Sequence, residues 1–275
     1  MINIEDIKKI IKRTFAKYTF HEDSHTYTYL DENNVEQTIG TSTTQLIHSY
    51  SNPFDEDKMS ELVARKRHIS QEEVLEEWNF NRELSCEYGT LAHLYLECSW
   101  NGWPFLYDTR PFVAKFGYDP VTPKFEAIKP ALDKFYDTFK DRLEIIGAEV
   151  VIASENYDVA GSIDLLAYSK KLNAIVIIDN KSNKKITAQS YNDQRMLEPL
   201  DNLPDSNFWH YSLQGAIYKQ ILEYETGIQV SEQKFLIWFD PDNLDFKVIP
   251  CANLDKEALM ILEKRKNERQ KEREN

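Results

Sequence analysis

The segment AIVIIDNK, residues 174–181, runs through five apolar residues and ends on an acid and an amine two positions apart. Side chains two apart on a strand share a face, about 6.6 Å from one another, so Asp179 and Lys181 point the same way and Asn180 points elsewhere. Upstream, the short polar connection SKKLN (residues 169–173) predicts an antiparallel hairpin. Folding the chain back there sets Asp164 opposite residue 178 or 179, so two carboxylates meet at one end of the hairpin. Glu155, nine residues before Asp164, is expected to arrive from the preceding strand. Three acids and a lysine beside an apolar sheet repel one another unless a cation sits among them, because partly desolvated like charges are costly. Oxygen ligands of this kind suit Mg2+ or Mn2+. Asp179 then reads as a metal ligand. Lys181 reads as the group that positions or activates a water attacking phosphorus, and that steadies charge on the phosphate. By itself an acid and a lysine at a strand end is equally the mark of a solvated turn with a surface ion pair.

Two helical segments add to this. In YGTLAHLYLE, His93 and Glu97 lie four apart on one helical face, and in HYSLQGAIYKQ, Gln214 and Tyr218 do the same. A neutral imidazole is a suitable ligand beside carboxylates. Singly, each pair is also what a packing helix contains; the order of all four blocks is the distinctive feature.

The elements that must position these residues are legible in outline. Ile4, Ile7, Ile10, Ile11, Phe15 and Tyr18 recur at helical intervals, predicting an amphipathic helix over 4–18. HTYTYLDENNVEQTIG alternates before a turn-prone Asp31–Asn34 and reads as a β-hairpin, with Thr41–Thr44 placed to cap the helix after it. Helical pattern dominates residues 55–100, with breaks expected near Ser70 and Ser85. Residues 101–123, rich in proline, read as a long loop, followed by a helix from Pro123 to about Leu143. Strands are expected over 149–155, 161–168 and 174–181. A second long loop covers 186–207, a helix 208–224, two strands follow (KFLIWFD and DFKVIPC), and a charged helix begins at Leu254. The mixed order implies an α/β protein, a central sheet with helices around it. Neither an internal repeat nor a linker between domains is visible, so residues 1–275 read as one domain: an N-terminal helix, hairpin and helical extension (1–85), a core (86–250) and a C-terminal helix (251–275).

Composition narrows the function classes. The chain has 275 residues, 41% of them hydrophobic, which is ordinary for a globular protein. No apolar run is long enough for a membrane span, and the first residues, MINIEDIKKIIKRTF, carry acids unlike a signal peptide, so an intracellular location is expected. Three cysteines, Cys86, Cys98 and Cys251, without a CxxC pair, indicate neither a disulfide framework nor a zinc ribbon. A net charge of −13 argues against coating nucleic acid by charge alone, but not against a locally basic groove.

The blocks Gly89-Thr90, His93 and Glu97, then Glu155, Gly161 and Asp164, then Asp179-Asn180-Lys181, then Gln214 and Tyr218, run in one order. In that order the sequence resembles the RecB-like branch of the PD-(D/E)XK nuclease superfamily. It is most similar there to phage-type exonucleases and their mitochondrial genome-maintenance relatives, whose hairpin and Ser-Thr helix start are similar to HTYTYL…TIGTSTTQLIHSYSNPFD. The resemblance spans about residues 25–240 and implies a restriction-endonuclease-like core, a central mixed sheet flanked by helices, with the N-terminal extension outside it. It implies that His93, Asp164 and Asp179 are ligands of Mg2+ or Mn2+, with the backbone carbonyl of Asn180 as a further one, and that Lys181 is the catalytic lysine. Glu155 corresponds to the acid before GxxD, holding a second metal or its water. Gln214 and Tyr218 would contact DNA backbone or brace Lys181. Some relatives carry an iron–sulfur cluster on one upstream and three downstream cysteines; only Cys251 lies downstream here, so no iron–sulfur cluster is expected.

The expected substrate is therefore DNA, as ends or single strands, cleaved in phage or bacterial replication, recombination or repair alongside proteins of those pathways. Lys184 and Lys185, directly after the catalytic strand, are best placed to meet phosphate. The loop 101–123 interleaves Trp103, Phe105, Tyr107, Phe112, Phe116 and Tyr118 with Arg110, Lys115 and Lys124, a mix suited to stacking on unpaired bases, although burial accounts for many such aromatics. Seven basic residues in the last 20 are offset by five glutamates, which reads as a solvated helix. Two other readings stand beside the exonuclease: a nuclease-fold binding protein without turnover, and a structure-specific endonuclease.

Overall fold

The computed structural model describes residues 3–22, 24–240 and 244–274, so the domain boundaries expected at 1 and 275 lie outside the described residues. Helix α1 (Ile4–Phe15) begins where the Asn3 side chain accepts from the Glu5 and Asp6 amides, and it buries Ile4, Ile11 and Phe15. The helix expected to reach Tyr18 ends earlier, because Tyr18 opens a strand, β1 (Tyr18–His21), which pairs with β2 (Thr26–Leu30). The expected hairpin is β2 with β3 (Glu36–Thr38), giving a three-stranded antiparallel sheet.

After the two-residue strand β4 (Thr41–Ser42), Ser42 and Gln45 form a reciprocal cap that starts α2 (Thr43–His48). Helices α3 (Glu56–Arg67) and α4 (Gln71–Asn101) are separated at the expected place: His68 turns left-handed and Ser70 caps α4 with Glu73. The break expected at Ser85 does not occur. Its hydroxyl donates to the Asn81 carbonyl of its own helix, and Leu84, Tyr88 and Leu91 carry the buried stripe straight through.

The stretch expected to be one long loop, 101–123, also holds structure. Helix α5 (Arg110–Phe116) takes Pro111 in its first turn, where a missing N–H costs nothing, and α6 (Val121–Phe139) begins before Pro123 for the same reason. The aromatics there mostly pack: the rings of Tyr95, Phe105 and Tyr107 gather around Phe125, which is fully buried.

The main sheet is mixed. Strands β5 (Leu143–Ser154), β6 (Val159–Ser169), β7 (Ala174–Lys181), β8 (Phe235–Asp240) and β9 (Asp245–Pro250) join β4 in the order β4-β6-β7-β8-β9, with β5 also on β6. Parallel pairing of β7 with β8 requires a crossover, supplied by α7 (Asn207–Thr226). Helix α8 (Asp255–Glu274) closes the chain. Alternate residues of β7 feed two apolar layers. Ile175 and Ile177 join the layer containing α1, α2, α7 and α8, while Val176 and Ile178 join that of α4 and α6. Burial on both faces explains why β7 is an unbroken apolar run. Among the described residues no helix is long and apolar enough to cross a membrane.

Candidate metal centre

The register of the central hairpin sets the site. Strands β6 and β7 pair as far as Leu165 with Ile178, and then part, because β7 turns to its parallel partner β8 while β4 takes the free edge of β6 at Val159 and Ala160. The next residues, Asp164 and Asp179, line the opening. The amide of Asn180, left without a ladder partner on that side, donates to Asp164 Oδ2 at 2.6 Å.

On the other edge of β6, Ala148 pairs with Leu165 and Val150 with Ile163, so Glu149 stands opposite Asp164. Its backbone is left-handed, φ 48°, a conformation that costs a non-glycine residue about 1–2 kcal/mol. From α4, His93 completes the group: Nδ1 lies 3.0 Å from Glu149 Oε1 and 3.6 Å from Asp164 Oδ2. Ligand atoms of His93, Glu149 and Asp164 all fall within 4.8 Å of one another. Ser162 Oγ donates to the second oxygen of Glu149 at 3.1 Å, fixing the carboxylate.

Asp179 is 4% exposed, and its Oδ2 lies 2.7 Å from Lys181 Nζ. That contact partners Oδ2, while Asp179 Oδ1 and the buried Asn180 Oδ1 receive no hydrogen bond. Orphaned buried oxygens beside a clustered nitrogen and carboxylates fit a small hard cation, which would supply the missing partners. Lys181 in turn lies 4.6 Å above the ring of Tyr211, the residue of α7 that screens it.

The electrostatics are those of acids and bases crowded together in a buried group. Burial pushes Asp179 up to about 6, helped by Asp164 and opposed by Lys181. Asp164 is also raised, by burial and Glu149, against the pull of His93. Burial works against the charged form of His93, yet Asp164 and Glu149 outweigh it and push the imidazole up to about 9. The same competition raises Lys181, burial opposing and Asp179 and Asp164 favouring its charge.

The remaining residues singled out from sequence fall as follows. Glu97 sits one turn along α4, its carboxyl raised by burial and by Glu149. Gln214 Nε2 donates to Tyr218 Oη at 2.8 Å, and burial with the charges of Asp179 and Asp164 raises the phenol well above its ordinary value. Gly161 gives Tyr218 room: a Cβ there would stand 2.5 Å from the ring. Lys184 and Lys185 are exposed on the chain leaving β7.

Glu155 is not brought to this group. It lies past the last pair of the β5–β6 hairpin, Ser154 with Val159, and is ion-paired with Lys17 and hydrogen-bonded by Tyr18 at 3.3 Å. Burial opposes its ionisation, but Lys17 holds its carboxyl below the usual range. The place expected for it is taken by Glu149, which the same fold-back rule finds once it is applied to the β5–β6 turn as well as to the next one. Ser162, Tyr211 and Tyr27 carried no sequence signal; Tyr27, from the N-terminal sheet, is pushed up to about 12 by burial and Glu149.

No family model matches the chain, and no curated protein does. Among solved structures it is similar to a protein from Eubacterium rectale whose exonuclease name is itself provisional. Identity is 16%, the alignment covers 61% of this chain and 71% of that one, and the TM-score is 0.26. A likeness at that TM-score carries no argument about fold or activity.

Proposed function

We propose that the protein is a metal-dependent deoxyribonuclease of RecB-like, PD-(D/E)XK architecture. It hydrolyses phosphodiester bonds as an exonuclease on DNA ends or single strands, in phage or bacterial replication, recombination or repair. One observation carries the reading: His93, Glu149, Asp164 and Asp179 converge from α4, β5, β6 and β7 around Lys181, with buried oxygens left unpartnered. Packing alone does not account for that arrangement, since gathering buried like charges with Asp179 Oδ1 left without a partner destabilises a fold.

In this reading His93, Asp164, Asp179 and Glu149 hold a Mg2+ or Mn2+ ion, with the Asn180 carbonyl as a further ligand, and Glu155 has no part. Such an ion acidifies a bound water and polarises a phosphoryl oxygen. Lys181, kept charged by its neighbours, acts as a fixed cation that orients the water and draws the phosphate. Ser162 steadies the Glu149 side of the group, Glu97 adds a further acid beside it, and Gln214 with Tyr218 packs against it. Lys184 and Lys185 meet the DNA backbone.

The test is incubation of end-labelled single- and double-stranded DNA with Mg2+ or Mn2+. Wild type should degrade it progressively from an end, and Asp164→Asn and Lys181→Ala should each be slower by about 100-fold or more. Discrete internal products would point to an endonuclease. Equal activity in all three proteins would assign the cleavage to a contaminant and remove the proposal.

A further inference from the structure

A second site lies at the opposite end of the sheet, on the face covered by α6. There the helix ends short of the strands and leaves a cavity of about 360 Å3. Its walls are apolar: Phe135 and Phe139 from α6, Val176 and Ile178 from β7, and Phe235 and Ile237 from β8. The rim is different in kind. Arg142, which opens the loop into β5, and Lys171, at the β6–β7 turn, both line it, with Gln233 beside them. Neither cation has a carboxylate partner within ion-pair distance among the described residues; Arg142 only rests on the Phe139 ring.

A half-open apolar cleft of this size is in the range of small-molecule sites. Two unpaired cations at its mouth, in a chain of net charge −13, select for a negative head. We propose that this cavity binds a small amphiphilic anion, a medium-chain alkyl or aryl carboxylate. Its apolar body lies between α6 and the sheet, against Val176 and Ile178, and its carboxylate lies between Arg142 and Lys171. The site is independent of the nuclease reading, since it uses none of the same residues.

Decanoate is the probe, titrated calorimetrically into the full-length protein alongside decanol and acetate. Decanoate should saturate at one site, with decanol at least tenfold weaker and acetate not binding. Val248→Trp on the edge strand β9 fills the cavity from its exposed side and should abolish decanoate binding. Arg142→Glu with Lys171→Glu should weaken decanoate tenfold or more and leave decanol unchanged. Circular dichroism on each variant verifies folding, and the charge-reversed pair, being on the surface, keeps the test open if the tryptophan variant misfolds. Absence of saturable decanoate binding, or binding indifferent to both the filling and the charge reversal, would overturn the proposal.

Discussion

At the scale of single residues, the account turns on which glutamate serves the site. Glu149 touches His93 and Ser162, whereas Glu155 is bound to Lys17. Glu149→Gln should therefore weaken Mn2+ binding by about 10- to 100-fold, taking the loss typical of a disturbed metal shell, while Glu155→Gln should leave it unchanged. Calorimetric titration of both variants checks this; equal affinities would contradict the assignment. The protonation of His93 gives a second expectation. With its imidazole pushed up to about 9, His93 carries a proton at pH 7 that a metal must displace. Mn2+ binding at pH 7 should then release about one proton, seen as a dependence of the binding enthalpy on the ionisation heat of the buffer. In the metal-free protein the sign is fixed too. A raised histidine pKa stabilises fully below its unfolded value near 6.5, and that contribution is lost as pH rises towards about 9. Asp179, raised to about 6, acts the same way at lower pH, costing stability as pH climbs from about 3.9. The melting temperature of the metal-free wild type should fall between pH 6.5 and 9 by more than that of His93→Gln.

At the scale of elements, the site depends on two close approaches. Tyr218 of α7 packs where Gly161 of β6 has no side chain, and Thr43 Oγ1 of α2 would stand 3.0 Å from an added Cβ. Gly161→Ala should cost about 1–3 kcal/mol in urea unfolding through overpacking, and should disturb the Gln214–Tyr218 hydrogen bond. Removing the α4 cap, Ser70→Ala, should cost about 1 kcal/mol without touching the site, because Ser70 lies more than six turns from His93 along the helix. These elements also show what a sequence discloses. The β6–β7 hairpin, and with it the meeting of Asp164 and Asp179, was legible because strand period and a five-residue connection fix register locally. A cap within Thr41–Thr44 and a break near Ser70 were legible, and Ser42 and Ser70 are the residues that cap there. Glu149 is legible only through the register of the β5–β6 turn, Ser154 with Val159, and its left-handed backbone leaves no mark in the residue type. Ser85 and the segment 101–123 misled because serine and proline report local preference, whereas long-range packing of Leu84, Tyr88, Phe112 and Phe125 decided the outcome. Tyr211 and Tyr27 reach the site only through tertiary contact, which no local pattern encodes.

At the scale of the molecule, buried ion pairs hold the outer helices to the sheet. Lys234, 1% exposed, and Lys219 of α7 both contact Asp255 in the first turn of α8, at 2.7 and 2.9 Å. Asp158, at the β5–β6 turn, is held by Arg265 and Arg269 of α8 and by the Gly40 amide. Asp255→Asn would leave the buried ammonium of Lys234 uncompensated, while Lys219 keeps Glu223, and should destabilise by about 3 kcal/mol in denaturant unfolding. Among the acids behind the charge of −13, Glu149, Asp164 and Asp179 gather at the candidate metal centre, where a bound cation would offset them. The claim on which the functional account rests is tested most directly by anomalous scattering from a crystal soaked in Mn2+. A single strong peak is expected within about 2.5 Å of ligand atoms from His93, Asp164 and Asp179, with Glu149 in contact. A peak elsewhere, or none among these side chains at saturating Mn2+, would contradict it.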